Sequence, residues 1–140
     1  MKSQLPKVLH KIGGLTLIER VLRTASGLAP ASITMVVGHG SDEVKQSLAK
    51  RTSLLFVTQE QQLGTGHALL QTRPLLEGKT GTVVLLSGDV PLLSTNSLKS
   101  LLETHHQSNA AATVITANFP RPFGYGRIDR TNGNITKIVE

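Results

Sequence analysis

An α/β fold, with a mostly parallel sheet, helices on both faces and a closing β-hairpin, is what this sequence predicts. Three observations carry that expectation. Largely apolar runs of strand length (33–37, 54–57, 82–86 and 111–116) alternate with segments of helical periodicity. Runs with so few polar interruptions suit strands buried on both faces. After the last run the rhythm changes to two strand-like stretches around Asn132-Gly133, a dipeptide that tight hairpin turns favour. Alternation of this kind places a parallel sheet beneath crossover helices, and 140 residues suit a single domain.

Each element follows from its local pattern. Residues 1–14 show neither helical nor strand period and read as a loop, with Pro6 restricting its neighbour, then Val8-Leu9-His10 and Gly13-Gly14. A helix is expected over Thr16–Ser26, where Leu17, Ile18, Val21, Leu22 and Ala25 form one apolar stripe, with Gly27 at its C-cap. Ile33–Val37 is a strand and Gly38-His39-Gly40 a turn. Ser41 then caps a helix whose first turn holds Asp42 and Glu43, the end at which a helix dipole favours acid. Leu54–Val57 is the next strand. A helix from His67 to about Arg73 ends near Pro74, and Gly78–Gly81 turn the chain into strand Thr82–Leu86. Ser94 or Thr95 caps a helix through Leu98, Leu101 and Leu102 to His105-His106. Strand Ala111–Thr116 and a hairpin of Gly126–Arg130 with Ile135–Val139 complete the chain. The alternation starts with a loop and helix, whereas crossovers normally lead from a strand into the helix. We therefore expect a first strand before Met1 and further chain after Glu140.

Composition narrows the function classes. The hydrophobic fraction is 39% and the aromatic fraction 3%, so the core is expected to be aliphatic. No apolar run approaches the length of a membrane helix, and the N-terminus lacks the apolar segment of a signal peptide. With no cysteine, disulfides and thiolate metal sites are excluded, and a cytoplasmic location is the default expectation. The net charge of +6 is spread along the chain, with Lys50-Arg51 as its one adjacent basic pair. Scattered charge and few aromatic rings for base stacking argue against a nucleic-acid binder and for a solvated basic surface or a small anionic ligand.

The residues with chemical promise cluster between Gln59 and Leu92. Asp89 follows an apolar strand and a glycine, at the strand end where open α/β sheets bind ligands. A carboxylate there suits Mg²⁺, which takes one or two carboxylates plus substrate phosphates; it equally suits a cap for the turn into Val90-Pro91. Lys7, in its loop, offers a point charge for phosphate, or is an ordinary surface lysine. Gly64-Thr65-Gly66 opens a helix but has the spacing of neither a Walker loop nor a dinucleotide fingerprint. Gln59, just past a strand, can present donor and acceptor to a base edge, or be a solvated loop residue. A single histidine at a helix start, His67, reads as structural. His105 and His106 are adjacent on a helix, face different ways and make a poor metal pair. Gly126 and Glu140 flank the hairpin, as turn or edge residues or as ligand contacts. No Ser-His-Asp arrangement is visible.

Five motifs occur in order: Leu5-Pro6-Lys7-Val8-Leu9-His10; Gln59 with Gln62-Leu63-Gly64-Thr65-Gly66-His67-Ala68; Gly88-Asp89-Val90-Pro91-Leu92; Gly124-Tyr125-Gly126-Arg127-Ile128; and Ile138-Val139-Glu140. Together they resemble the uridylyltransferase domain of the bifunctional N-acetylglucosamine-1-phosphate uridylyltransferase/glucosamine-1-phosphate acetyltransferase family, over essentially the whole chain. The resemblance implies a Rossmann-like nucleotidyltransferase fold and Mg²⁺-dependent conversion of UTP and N-acetylglucosamine 1-phosphate into UDP-N-acetylglucosamine and pyrophosphate, a step toward cell-envelope precursors. It matches Asp89 to the metal ligand and Lys7 to a lysine at the nucleotide phosphates. It matches Gln59, Gly64 and Thr65 to uridine contacts, Ser87 and Gly88 to positions near the nucleotide sugar, and Gly126 and Glu140 to the bound sugar.

The family also has a first strand and a Gly-rich loop ending in Gly-Thr-Arg-Met, of which this sequence begins with the Met. A second metal ligand, an asparagine, and the acetyltransferase domain lie beyond Glu140 in the family pattern. The expectation is therefore a partial domain, inactive or nearly so by itself, with lowered stability or self-association through an exposed sheet edge. A related nucleotidyltransferase with another base or sugar and a non-catalytic nucleotide-sugar-binding fragment are the alternatives.

Overall fold

A tight 3-10 turn over Lys7–Leu9 and a short hairpin open the described part of the chain. This is a computed structural model, described for residues 5–38, 41–121 and 123–139. The chain divides into two compact units, Met1–Leu102 and Glu103–Glu140.

In the first unit, β1 (Lys11–Ile12) pairs antiparallel with β2 (Leu15–Thr16). The loop expected over residues 1–14 is thus corrected. Gly13-Gly14 is a hairpin turn whose positive φ values, 56° and 82°, suit glycine, and the Arg20 guanidinium donates to the carbonyl of Ile12 at its base. Thr16 then caps α1 (Leu17–Ser26). Its hydroxyl accepts from Glu19 N–H (3.2 Å), and the Glu19 carboxylate accepts from Thr16 N–H (2.8 Å), which closes a capping box. Helix α1 buries Ile18, Val21 and Leu22 at helical spacing. Full burial of one such side chain contributes about 1.5–3 kcal/mol.

The same core holds a βαβ unit: β3 (Ile33–Val37), α2 (Ser41–Ser47) and β4 (Leu54–Thr58). The strands are parallel, in register from Ile33↔Leu54 to Val37↔Thr58, as expected for strands joined by a helix. Val37 joins Val44 and Leu48, from α2 and just past its end, in the cluster formed with Leu9, Ile18 and Leu22. Ser41 is the first residue of α2. Of the expected turn before it, positions 39 and 40 lie outside the described residues.

Beyond β4, α3 (Thr65–Leu70) is followed by a separate turn of helix, α4 (Arg73–Leu76). Pro74 therefore does not end one helix but sits in the first turn of the next, where its missing N–H is harmless. Helix α5 (Thr95–Gln107) is capped by Ser94, whose hydroxyl accepts from Ser97 N–H. Its Leu98 is fully buried. Gly27 is the C-cap of α1, but its φ of −66° is right-handed, and the left-handed residue is Ala29 at 49°. A Cβ on Gly27 would lie 2.7 Å from the Thr95 hydroxyl, so this glycine serves close approach. Thr95 donates to the Thr24 carbonyl, and Thr24 to the carbonyl of Leu93.

The segments 82–86 and 111–116, expected as strands, are not strands in the structure. In 82–86 burial still alternates, with Val83 and Leu85 exposed and Val84 and Leu86 half-buried. The burial on both faces expected of this apolar run is thus not found, and a strand also requires a backbone partner, which the run lacks among the described residues. The parallel sheet is thus the β3–β4 pair among the described residues.

In the second unit, β5 (Arg127–Thr131) pairs antiparallel with β6 (Asn134–Val139). Asn132 and Gly133 have φ of 52° and 82°, the two positive values a type I′ turn requires, as Asn-Gly predicts. A register shift falls between Asp129 and Arg130.

Candidate functional site

Two groups of expected site residues take shape in the first unit. One joins the N-terminal turn to the segment after residue 86. The 3-10 turn buries Leu9 and rests on α1, which leaves Lys7 exposed. The Ser87–Val90 turn is closed by Val90 N–H donating to the Ser87 carbonyl. Its Gly88 is seated so closely that a Cβ there would lie 3.2 Å from Ile18 Cδ1 and 3.3 Å from Val8 Cγ1. The seat fixes the next residue, Asp89, and Lys7 Nζ donates to Asp89 Oδ2 at 2.6 Å. The two side chains are 64% and 36% exposed, so this is a solvated ion pair, worth little to stability and open to exchange. Ser87 is exposed beside them.

The other group gathers at the carboxyl end of β4. Gln59 N–H donates to the Val37 carbonyl (2.8 Å), which extends the parallel ladder by one bond and anchors the residue. Its side-chain nitrogen lies 3.2 Å from the Gly64 carbonyl and 3.0 Å from His67 Nδ1. On the far side of that ring, the Gln71 side-chain nitrogen is 3.1 Å from His67 Nε2. Gly64 precedes α3 with φ 91° and ψ −178°, a conformation that essentially only glycine adopts. Thr65 is the first helical residue and is exposed. Gln62 crosses the end of β3, where a Cβ on Gly38 would lie 2.6 Å from its amide nitrogen. An open cleft lined by Gly38, Asp42, Glu43, Thr58, Gln59 and Glu60 lies here, past the ends of both parallel strands. Its acidic lining suits a neutral ring better than a phosphate.

His67 is the residue that sequence reasoning set aside. Its hydrogen bonds cross eight positions of chain to Gln59 and four to Gln71. Only the second separation is a helical signal, so the first could not be read from spacing. Gly126 immediately precedes β5 in the second unit and is exposed. Glu140 lies outside the described residues. His105 Nδ1 pairs with the Thr113 hydroxyl at 2.9 Å, a structural contact for one of the two adjacent histidines.

Among the described residues no three His, Cys, Asp or Glu side chains gather as a protein-only metal site. No helix among them is long and apolar enough to cross a membrane. Among the described residues, the carboxyl of Glu19 is displaced from its ordinary value. Hydrogen bonds from the Thr16 backbone N–H and then the Thr16 hydroxyl to the charged form hold it below its ordinary value of 4.5.

Comparison with known proteins agrees with the motifs. The family model for a MobA-like NTP transferase domain matches residues 1–130. The bifunctional protein GlmU of Rippkaea orientalis is 48% identical over the whole of this chain, which spans 31% of that protein's length. The GlmU proteins of Streptococcus gordonii and Trichormus variabilis are 45% and 48% identical, with 30% and 31% of their lengths spanned.

Proposed function

We propose a reaction for this chain from one premise: it belongs to the MobA-like NTP transferase domain family. The reaction is uridylyl transfer, in which UTP and N-acetylglucosamine 1-phosphate give UDP-N-acetylglucosamine and pyrophosphate. The chain contributes to it as part of one nucleotidyltransferase domain, inactive or nearly so by itself, and the matched stretch runs across the boundary between the two units. The observation that carries the reading is the 2.6 Å contact between Lys7 and Asp89, which brings a cation and a carboxylate together from positions 82 apart in sequence. The high identity to GlmU proteins over the whole chain supports the choice of nucleotide sugar.

The residues present fit a divalent cation. Asp89 is an acceptor-only group, partly exposed, and would supply a carboxylate to Mg²⁺, an ion that takes one or two carboxylates along with substrate phosphates. Bound magnesium would supply positive charge to the triphosphate. Lys7 offers its ammonium to the same phosphates as a point charge. Gln59, Gly64 and Thr65 receive the base, Ser87 and Gly88 approach the nucleotide sugar, and Gly126 and Glu140 receive the amino sugar.

An oxygen of the sugar 1-phosphate attacks the α-phosphorus of UTP. As that P–O bond forms, the bond from the α-phosphorus to the oxygen bridging to the β-phosphorus breaks. Pyrophosphate leaves with the electron pair. No protein nucleophile takes part, so the side chains act by position and charge. A cytoplasmic location belongs to the same reading.

Calorimetric titration with UDP-N-acetylglucosamine, with and without Mg²⁺, tests it on the chain and on Asp89→Ala. Magnesium-dependent binding is expected in the chain, with at least about tenfold of that dependence lost in the variant. Binding indifferent to both magnesium and Asp89 would remove the reading. A preference for another sugar nucleotide would redirect it to a related nucleotidyltransferase.

A further inference from the structure

We infer that His67 is a positioning residue that, together with the Gly64 carbonyl, holds the Gln59 side-chain amide as a hydrogen-bond acceptor, and thereby favours a base that carries a ring N–H. The inference rests on the uridylyl-transfer reading, which assigns Gln59 to the base. It adds a cause for the selectivity and a residue that governs it.

Counting donors and acceptors leads there. The Gly64 carbonyl oxygen can only accept, so the Gln59 amide must turn its NH₂ end toward it, at 3.2 Å. One amide hydrogen is then spent on Gly64. The other meets His67 Nδ1 at 3.0 Å, which requires that nitrogen to be bare. A neutral imidazole with a bare Nδ1 carries its proton on Nε2. That N–H faces the Gln71 amide at 3.1 Å, and the network assigns the Gln71 oxygen to this position, because two donors cannot face each other. The opposite tautomer would press the Gln59 oxygen against the Gly64 oxygen at 3.2 Å, in order to keep a 3.4 Å bond from Gln71 to the His67 carbonyl. The closer contact decides, since a bond at 3.4 Å is near the limit of being one.

With both amide hydrogens committed, Gln59 has only its oxygen to offer. Its backbone is pinned to β3 through the Val37 carbonyl, and the residue lines the cleft beyond the parallel strands. Uracil presents a ring N–H at N3, which the oxygen accepts. Cytosine presents a bare, electron-rich nitrogen at the same position, which the oxygen repels. If the His67 acceptor is removed, the Gly64 carbonyl is the one anchor left, turning the amide costs only that bond, and the preference between the two bases weakens.

The experiment has two arms. In the first, nitrogen NMR of the isotopically labelled chain without nucleotide reads the His67 tautomer, with the signal assigned by its loss in His67→Phe. A proton on Nε2 and a bare Nδ1 are expected; a proton on Nδ1 overturns the inference. In the second arm, UTP and CTP are titrated in the presence of Mg²⁺ into the chain, His67→Phe and His67→Asn. The phenylalanine keeps the ring volume and removes the acceptor, whereas the asparagine oxygen stands near the place of Nδ1. Loss of about tenfold in the UTP-to-CTP affinity ratio is expected in the phenylalanine variant, with recovery in the asparagine variant. Circular dichroism confirms that each is folded. A UTP preference unchanged in folded His67→Phe overturns the positioning role and leaves uridylyl transfer standing. Failure of the unaltered chain to prefer UTP removes the base assignment itself, and the inference with it.

Discussion

Gln59 and the Lys7–Asp89 pair are held in opposite ways. Both amide hydrogens of Gln59 are spent on groups from its own neighbourhood of chain, and its backbone N–H is tied into the β3–β4 ladder. Lys7 and Asp89 come from positions 82 apart in sequence and share one contact, with much of each side chain in water. The first arrangement is pre-organised: it can recognise a rigid ring without rearranging. The second is exchangeable, and an exposed ammonium can leave a carboxylate for a phosphate at little cost. On the proposed assignment, base choice rests on the rigid end of the site, while the charged end is arranged to let partners trade places.

The largest effect expected from breaking this contrast comes at Gly64. No atom lies within 4 Å of a Cβ built there, so Gly64→Ala tests conformation alone, and the φ of 91° is strained for alanine. A loss of about 1–3 kcal/mol in chemical denaturation is expected, together with weaker UTP-over-CTP preference. Unchanged stability would show that the backbone at 64 is not held as described. Next comes Lys7→Met, which should shift stability by no more than about 1 kcal/mol after solvent screening. UTP affinity should nevertheless fall about tenfold, and its salt dependence should flatten. Equal losses of stability and affinity would place Lys7 with the rigid end of the site.

The smallest effect concerns the capping box under the Lys7 turn. The carboxyl of Glu19 is depressed by the Thr16 hydrogen bonds, so its contribution is present above the ordinary value of 4.5 and is lost as the pH falls through the lower folded value. Denaturation of Glu19→Gln against the unaltered chain should show a gap of about 0.5 kcal/mol at neutral pH, allowing for exposure. The gap should close in acid. A gap that widened in acid would reverse the sign of the linkage.

How much of this was legible in the sequence depended on how local each signal is. The Asn132-Gly133 turn, the apolar stripe of α1 and the strands β3 and β4 were readable, because each is set by residues close in sequence. The five motifs were specific enough together to identify the family that residues 1–130 match. Gly13-Gly14 carried a hairpin signal as plain as that of Asn132-Gly133, but the strands it joins are two residues each, too short to show a period. The spacing of Thr16 and Glu19 was likewise a capping box in plain view. For 82–86 neither the strand nor burial on both faces is found, since an apolar run says nothing about a backbone partner and Val83 and Leu85 are exposed. The partnership of Lys7 with Asp89 and that of His67 with Gln59 depend on how distant or looped segments fold back. Residue type suggested candidates there, and geometry chose among them.

The carbonyl of Gly64 accepts hydrogen bonds from both Ala68 N–H and the Gln59 amide. One oxygen therefore serves the opening turn of a six-residue helix and the orientation of the side chain assigned to the base. A helix so short does not persist on its own, and its terminal turns fray and re-form rapidly. Opening of that first turn removes the Gly64 anchor of the Gln59 amide and leaves it on His67 alone. On the proposed assignment of Gln59 to the base, discrimination between bases is therefore tied to the integrity of the first turn of α3 and should weaken on warming.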